Sequence, residues 1–208
     1  MRRLRRRKRY DNKNLIFVIC GPSGVGKSTL KRLILEKHSD IRLCPSVTTR
    51  PKRQPLIGIE EYHYISEEEY FRLYNDGQLI ARKVRQFGFF YGIKLKDITD
   101  ILEKGQHVLL ETTLWGISQL RNHFNNVISI FVAPPSIEEL KRRLGNRKRE
   151  GDAEVDLRLA LAEDILSDFR KDLVSYYLIN DDLSVSIQII DSIIDEARSR
   201  LDTSREIT

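Results

Sequence analysis

Cysteine is scarce in this sequence. Only two cysteines, Cys20 and Cys44, occur among its 208 residues, and the four histidines are scattered. Two cysteines indicate neither a disulfide framework nor a cysteine-based metal cluster, and the histidines lack the spacing of metal ligands. Proteins without disulfides are typical of reducing compartments, so we expect a cytoplasmic protein.

Long apolar runs are missing as well. The longest apolar run near the start covers residues 15–20. A helix that spans a bilayer needs about 20 apolar residues, so this run is far too short. No apolar segment of the kind found in secretory signal peptides follows the basic start. We therefore expect no membrane partner.

Positive charge is concentrated at the start of the chain. The formal net charge is +6, but the opening MRRLRRRKR holds seven basic residues and no acidic ones. Without them the chain has 29 basic and 30 acidic residues, a net charge of −1. Such a dense run repels itself, so we predict that residues 1–12 form a disordered basic tail. We interpret it as a solvated tail, with contact to nucleic acid or an anionic membrane as the alternative.

Strand and helix patterns alternate along most of the chain. NLIFVIC predicts a buried strand, and KSTLKRLILEKH predicts the helix that follows a glycine-rich loop. The later strands read HVLLETT, VISIFVAP and SYYLIND, separated by the helical patterns LWGISQLRNHF, SIEELKRRLGNR and VDLRLALAEDILSDFRKDL, with LSVSIQIIDSIIDEARSRL as a closing helix. This alternation predicts an α/β fold of three layers, with a parallel sheet covered by helices on both faces.

Residues 41–94 have a different character. They are rich in Thr, Tyr and Phe and contain short extended pieces around RPKRQP. Within them, SEEEYFRLYNDG predicts a capped helix, with Ser66 as the N-cap, Glu69 three residues later and Gly77 at the end. We interpret this region as a small inserted lobe.

The loop between the first strand and the first helix carries a phosphate-binding motif. Gly21, Gly26, Lys27 and Ser28 have the P-loop spacing, and the motif has the required strand before it and helix after it. Backbone N–H groups of such a loop surround phosphate oxygens, the lysine neutralises their charge, and the Ser28 hydroxyl can ligate Mg²⁺. The predicted nucleotide-binding residues are Gly21, Pro22, Ser23, Gly24, Val25, Gly26, Lys27, Ser28 and Thr29.

The P-loop is the first of six motifs that occur in this order along the chain: GPSGVGKSTL, SVTTRPKR, YHYISEEEYFRL, FYG, IFVAPPSIEELKRRL and LINDD. With them the chain resembles the guanylate kinases from about residue 15 to residue 201. The resemblance implies a P-loop NTPase core at residues 13–40 and 95–202. It also implies an acceptor-binding lobe at residues 41–94 and a mobile lid at about residues 145–157.

The resemblance also implies roles for single residues. Lys27, Arg147 and Arg158 match catalytic cations that stabilise the transferring phosphoryl group. Asn180 matches a position beside the adenine of ATP, and ATP and Mg²⁺ are the implied cofactors. The residues that match the binding site for the acceptor phosphate are Ser46, Arg50, Arg53, Tyr62 and Tyr91.

The positions that read the base depart from the family pattern. The usual glutamate falls on Ala81 or Arg82, the usual hydroxyl residue is Ile93, and the second of two strand-end acids is Thr113. The first of these acids remains as Glu111. Glu111 and Thr113 are candidate contacts to the acceptor or to the Mg²⁺ shell.

These features predict an ATP-dependent phosphotransferase that moves the γ-phosphate to a phosphate-bearing acceptor. The resemblance implies GMP, with GDP and ADP as products. GMP stays the acceptor if another residue, such as Thr112 or Arg85, binds guanine in place of the changed ones. The alternatives are another nucleotide, a phosphorylated sugar such as ribose bisphosphate, or a non-catalytic module that binds phosphorylated ligands. The complete P-loop favours an enzyme. Both a monomer and a homodimer remain open.

Overall fold

The computed structural model describes residues 10, 13–52, 62–145, 152–167, 169 and 171–206. Residues 1–9 and 11–12 of the predicted tail, Arg53, and residues 146–151 of the predicted lid, which include Arg147, lie outside these ranges. The described elements, in chain order, are β1 (Ile16–Cys20), α1 (Lys27–Lys37), β2 (Ile41–Leu43), β3 (Ser46–Thr48), β4 (Tyr62–Tyr64), α2 (Glu67–Asn75), β5 (Leu79–Ala81), β6 (Tyr91–Lys94), α3 (Leu95–Glu103), β7 (His107–Glu111), α4 (Leu114–His123), β8 (Val127–Ala133), α5 (Ile137–Gly145), α6 (Asp152–Ser167), β9 (Tyr176–Ile179) and α7 (Leu183–Glu206).

The strands form two sheets. The larger has the order β2-β7-β1-β8-β9, and its β2–β7 and β8–β9 pairs are parallel. The smaller has the order β4-β3-β6-β5. The predicted α/β fold with a parallel sheet is therefore confirmed. Residues 41–43, which we had placed in the lobe, pair with β7 of the larger sheet, so the small sheet begins at Ser46.

Three local predictions needed correction. The helix predicted over residues 155–173 ends at Ser167, and a 3-10 turn follows at Lys171–Leu173. The Ser167 hydroxyl donates to the carbonyl of Asp164, a local bond that competes with helix continuation. Helix α3 was not predicted, because Lys94 precedes it and offers no side-chain cap. Tyr10 belongs to a bridge with Phe124 rather than to a disordered tail.

The described residues divide into two compact units. The first comprises those within Met1–Phe17 and Asp40–Val127, and the second those within Val18–Ser39 and Ile128–Thr208. In the first unit, one face of the small sheet packs against α2. This packing forms a buried cluster of Val47, Tyr70, Leu73, Leu79, Ala81 and Phe90. Helix α2 begins where predicted, since the Ser66 hydroxyl accepts a hydrogen bond from the Glu69 N–H at 3.1 Å.

In the second unit, α1 and α7 pack together through apolar residues and through a polar cluster. Leu30 and Ile34 of α1 and Ile190 and Ile194 of α7 are fully buried. Among the described residues, no helix is both long and apolar enough to cross a membrane.

The polar cluster between these two helices is centred on Asp191. Its carboxylate accepts hydrogen bonds from Lys37 and from the His38 ring, the latter at 2.9 Å, and Arg198 lies 3.3 Å from the other ring nitrogen. Burial acts to raise the pKa of Asp191, but the hydrogen bonds from Lys37 and His38 outweigh burial and hold the pKa below its ordinary value of 3.8.

This cluster predicts an acid-sensitive contribution to stability. Because the folded pKa of Asp191 is lowered, the unfolded chain binds this proton more readily, and the contribution is lost as the pH falls below about 3.8. We expect Asp191→Asn to lower the unfolding free energy at neutral pH, with the difference from wild type shrinking towards pH about 3. Urea unfolding at both pH values measures this, with Asp76→Asn, at an exposed position at the end of α2, as the control. A difference that is equal at both pH values contradicts the prediction.

Candidate active site

The P-loop backbone depends on glycines in the left-handed region. Gly21, Gly24 and Gly26 have φ angles of +131°, +90° and +97°. A Cβ on Gly21 would lie 2.1 Å from the carbonyl oxygen of Val132, and one on Gly26 would lie 2.5 Å from Nδ2 of Asn180. Neither position has room for a side chain. The spacing of the motif therefore reflects close packing as well as backbone conformation.

The loop leads into an open helix N-terminus. Helix α1 begins at Lys27, and its N-cap residue, Gly26, has no side chain to cap the first N–H groups. Those N–H groups and the positive end of the helix dipole form a binding site for an anion. Thr29 lies in the first turn of the same helix.

Two predicted catalytic cations contact this loop. Nζ of Lys27 donates to the carbonyl oxygens of Gly21 at 2.9 Å and Pro22 at 2.6 Å. Arg158 of α6 donates to the hydroxyl of Ser23 at 2.8 Å. The structure thus brings Lys27 and Arg158 to the same loop, although 131 residues separate them in the sequence.

Asn180 follows β9 and is fixed against the loop. Its side chain is 5% exposed, and its Nδ2 donates to the carbonyl of Val25 at 2.7 Å. Its Oδ1 is buried and has no hydrogen-bond partner among the described residues. One half of the amide therefore holds the loop, and the other half can accept a hydrogen bond from a ligand.

Arg143 of α5 lies beside Asn180. Its guanidinium donates to the backbone carbonyl of Asn180 at 2.8 Å and to the carboxylate of Glu139 at 2.7 Å. Hydrogen bonds from Arg142 and Arg143 lower the pKa of Glu139 to about 2, so this carboxylate stays ionised and holds Arg143 in place. The Ser136 hydroxyl caps the start of α5, because it accepts a hydrogen bond from the Glu139 N–H at 3.1 Å.

A pocket of about 330 Å³ opens next to these residues. Asp181 and Leu183 belong to it, and neither was assigned a role from the sequence, although Asp181 is part of the LINDD motif. Its full lining is Gly24, Gly26, Thr29, Arg143, Asn180, Asp181 and Leu183. An apolar side chain, a guanidinium and several polar groups around one cavity suit a planar heterocycle attached to phosphates.

The Asn180 contact predicts a loss of stability on substitution. We expect Asn180→Ala to lower the unfolding free energy by about 1–3 kcal/mol, because the buried Val25 carbonyl loses its donor. Asn180→Asp should cost more, since it places a carboxylate oxygen against that carbonyl. Urea unfolding measures both variants, and exposed Asn75→Ala is the control. Equal stability of Asn180→Ala and wild type contradicts the prediction.

Ser28 has the chemistry of a magnesium ligand. Its hydroxyl, in the first turn of α1, makes no hydrogen bond to another described residue. Mg²⁺ prefers oxygen ligands and usually binds through one or two protein groups together with phosphate oxygens and water. The residues present therefore fit this ion.

The second predicted site lies in the first unit, on one face of the small sheet. The strand register places Ser46 opposite Tyr62, and Thr48 opposite both Tyr64 and Tyr91. Paired residues on neighbouring strands point to the same face, while Val47 points to the opposite face and into the core. This face, which we call the tyrosine face, carries Ser46, Thr48, Tyr62, Tyr64 and Tyr91.

Arg50 lies over the tyrosine face. The carbon at the centre of its guanidinium is 4.2 Å from the ring centroid of Tyr62 and 5.9 Å from that of Tyr64. Burial acts to lower the pKa of Arg50, but a hydrogen bond with Tyr64 and the neighbouring tyrosines raise it above its ordinary value. Its Nε is buried without a hydrogen-bond partner among the described residues.

The tyrosine face can therefore bind an anion through a fixed cation and phenol hydroxyls. Four of the five predicted phosphate ligands, Ser46, Arg50, Tyr62 and Tyr91, lie together here. Arg53 lies outside the described residues. Tyr64 was not predicted, although the alternation in Tyr62-His63-Tyr64 places both phenol rings on the same face.

The residues at the positions where the family binds the base have different surroundings in the structure. Ala81 and Ile93 are buried in the β5–β6 pair, at 8% and 3% exposure. The Thr113 hydroxyl caps α4 by accepting from the Gly116 N–H at 3.2 Å. Arg82 is exposed, and its guanidinium lies over the ring of Trp115. Among the candidate contacts, Glu111 lies half-buried at the end of β7.

Comparison with known proteins identifies the family to which these two sites belong. A sequence model described as guanylate kinase matches residues 13–197. The chain belongs to the guanylate kinase family. It is a phosphotransferase of the nucleoside monophosphate kinase class, and family membership implies the use of ATP.

Individual relatives agree over almost the whole chain. A guanylate kinase of Clostridioides difficile is 32% identical, over 95% of this chain and 95% of its own. One from a Wolbachia species of Brugia malayi is 35% identical, over 90% and 95%. The crystal structure of guanylate kinase from Anaplasma phagocytophilum superposes with a TM-score of 0.63 at 30% identity, over 88% and 85% of the two chains.

Proposed function

We propose that this guanylate kinase family member transfers the γ-phosphate of ATP to GMP, which gives ADP and GDP. The observation that carries the proposal is the buried, unpaired Nε of Arg50 above a face of tyrosines. A buried guanidinium nitrogen without a partner needs an acceptor oxygen, and the phosphate of a nucleoside monophosphate supplies several. The relatives named guanylate kinase support GMP as the acceptor.

ATP binds in the second unit. Its phosphates lie against the P-loop N–H groups and the N-terminus of α1, and its adenine occupies the pocket beside Asn180 and Arg143. The unpaired Oδ1 of Asn180 supports this assignment, because the adenine amino group is a hydrogen-bond donor. Asp181 supplies further acceptor oxygens at the pocket wall.

Mg²⁺ would be held by Ser28. The roles predicted for Glu111 and Thr113, as contacts to the acceptor or to the Mg²⁺ shell, stay predictions, and the Thr113 hydroxyl already accepts a hydrogen bond from the Gly116 N–H. When bound, this ion neutralises charge on the phosphate oxygens. The contribution of Ser28 is a hydroxyl that does not have to break another hydrogen bond before it binds.

The acceptor phosphate binds to Ser46, Arg50, Arg53, Tyr62 and Tyr91, with Tyr64 positioning Arg50. A phosphate oxygen of GMP attacks the γ-phosphorus, and the bond to the β-phosphate oxygen of ADP breaks. Lys27, Arg147 and Arg158 stabilise the negative charge on the transferring group. Catalysis needs no covalent intermediate with the protein. We also infer a cytoplasmic location, since Cys20 and Cys44 are both buried and neither forms a disulfide.

The test is a coupled assay of ADP release with ATP, Mg²⁺ and a panel of acceptors: GMP, dGMP, AMP, CMP, UMP, dTMP and ribose phosphates. We expect turnover with GMP. Turnover only with another nucleotide or with a ribose phosphate overturns the GMP assignment. No turnover with any acceptor, in protein that still binds ATP, overturns the proposal and favours a phospho-ligand binding module.

The tyrosine face predicts the effect of removing its cation. We expect Arg50→Ala to raise the KM for GMP and to lower kcat/KM by about 10²-fold, because a desolvated charge-assisted contact to the phosphate is lost. The KM for ATP should stay within about threefold of the wild-type value, since ATP binds elsewhere. Arg72→Ala, which removes an exposed arginine of the same unit, is the control. An unchanged KM for GMP contradicts the prediction.

A further inference from the structure

Arg82 is the first residue after β5, and its guanidinium lies over an aromatic ring. The guanidinium carbon lies 5.5 Å from the ring centroid of Trp115, in the first turn of α4. Its side chain makes no hydrogen bond or ion pair with another described residue. A cation over a tryptophan face is attracted by the ring and is held without using its N–H donors. The donors of Arg82 are therefore free for a ligand.

The backbone of Arg82 is fixed to the tyrosine face. The hydroxyl of Tyr70 lies 2.9 Å from the carbonyl of Arg82 and 3.1 Å from the carbonyl of Tyr91. Tyr70 is fully buried, and burial raises the pKa of its phenol to about 12, so the hydroxyl remains a donor. The neighbouring residues Ala81 and Gly92 are paired across β5 and β6. Arg82 is thus anchored beside the residues that hold the acceptor phosphate.

Nothing at the changed family positions can accept hydrogen bonds in the way a carboxylate would. Ala81 and Ile93 are apolar and buried, and the Thr113 hydroxyl caps a helix. A carboxylate reads guanine through its N1–H and N2–H donors, whereas a guanidinium carries donors only and pairs with acceptors. The acceptors of guanine that a guanidinium fork can reach together are O6 and N7.

We propose that Arg82, held by Trp115, is a specificity-determining residue that reads the acceptor base through O6 and N7. The proposal rests on the proposed function, because it concerns the acceptor of the same reaction. It carries a consequence for substrate choice. The N2 amino group of guanine is not read by this contact, so a keto purine without that group should serve as well. Adenine presents a donor at position 6, where Arg82 also presents a donor, and is disfavoured.

Nucleotide analogues test this inference on the wild-type protein. IMP keeps O6 and N7 but lacks the N2 amino group, and 7-deaza-GMP keeps O6 and N2 but lacks N7. We expect kcat/KM for IMP to lie within about threefold of that for GMP. We expect kcat/KM for 7-deaza-GMP to be lower by about 10-fold, because it loses one of the two hydrogen bonds of the bidentate contact and keeps the one to O6.

Variants assign the effect to Arg82. We expect Arg82→Ala to lower kcat/KM for GMP and IMP by about 10- to 100-fold, and to lower it for 7-deaza-GMP by a smaller factor, because only the O6 contact is left to lose in that analogue. Lys83→Ala is the matched control, because Lys83 is the next exposed cation and lies over Tyr74 instead of Trp115. It should change none of these values by more than about threefold. Thermal unfolding checks that both variants are folded.

Two results overturn the proposal while the proposed function stands. One is a protein that turns over GMP but has a kcat/KM for IMP more than about 100-fold below that for GMP, and the other is an Arg82→Ala variant whose kcat/KM for GMP equals that of wild type. The first shows that the N2 amino group is read, and the second shows that Arg82 is not the reader. Absence of turnover with every nucleotide overturns the proposed function itself, and this inference with it.

Discussion

We expect Lys27→Ala to lower kcat for phosphoryl transfer by about 10²- to 10³-fold, the loss typical when one fixed donor to a transition-state oxygen is removed. In the structure, the ammonium of Lys27 is held by the carbonyls of Gly21 and Pro22 at the loop that precedes α1. The proposed catalytic role uses this position, because a charge that is already held in place can stabilise developing negative charge without reorganisation.

The assay of ADP release with saturating ATP and GMP measures this effect. Lys96→Ala, which removes an exposed lysine paired with Asp100 on α3, is the control and should retain full activity. Lys27→Arg keeps the charge but changes its shape, and we expect an intermediate rate. A Lys27→Ala variant with kcat within about threefold of wild type would contradict a catalytic role for this residue.

Replacing Gly21 with alanine lowers the unfolding free energy by about 4 kcal/mol or more, which only a few mechanisms of point substitution produce. The added Cβ would lie 2.1 Å from the carbonyl oxygen of Val132 and 3.1 Å from its carbonyl carbon, both on the backbone of β8. A strand backbone cannot move aside as a flexible side chain can. The φ angle of +131° adds strain of about 1–3 kcal/mol.

The Gly105→Ala variant measures the cost of a positive φ angle without a steric clash. Gly105 also has a positive φ, +75°, but a Cβ built there meets nothing within 4 Å. Its substitution should therefore cost only about 1–2 kcal/mol, the conformational term alone. Urea unfolding of both variants gives the comparison. If the two substitutions cost the same, the close approach of Gly21 to β8 does not contribute to stability.

The elements with strong local signals could be predicted from the sequence. The P-loop could be predicted because its glycines, lysine and serine are consecutive and are bounded by a strand and a helix. The start of α2 could be predicted because a serine and a glutamate three residues later form a local cap. Helix α3 has no such cap, and its existence depends on the burial of Leu95 and Ile98, which only the folded chain provides.

The contacts between distant segments could not be predicted in the same way. Arg158 and Ser23, and Asn180 and Val25, are more than 130 residues apart, and no local pattern indicates that they meet. Arg82 is similar, because the sequence left the family's glutamate position on either Ala81 or Arg82. Its placement over Trp115 depends on the packing of α4 against β5.

The sequence by itself determined the fold class, the family and the residue types at the P-loop and on the tyrosine face. Residue spacing carries this information, because hydrophobic periodicity and consecutive motifs depend only on neighbours along the chain. Only the tertiary structure decided which side chains are already committed, as Thr113 is to capping α4, and which remain available, as the Nε of Arg50 and the guanidinium of Arg82 do. Hydrogen-bond partners are set by distances between segments far apart in the chain, and those distances exist only once the chain has folded.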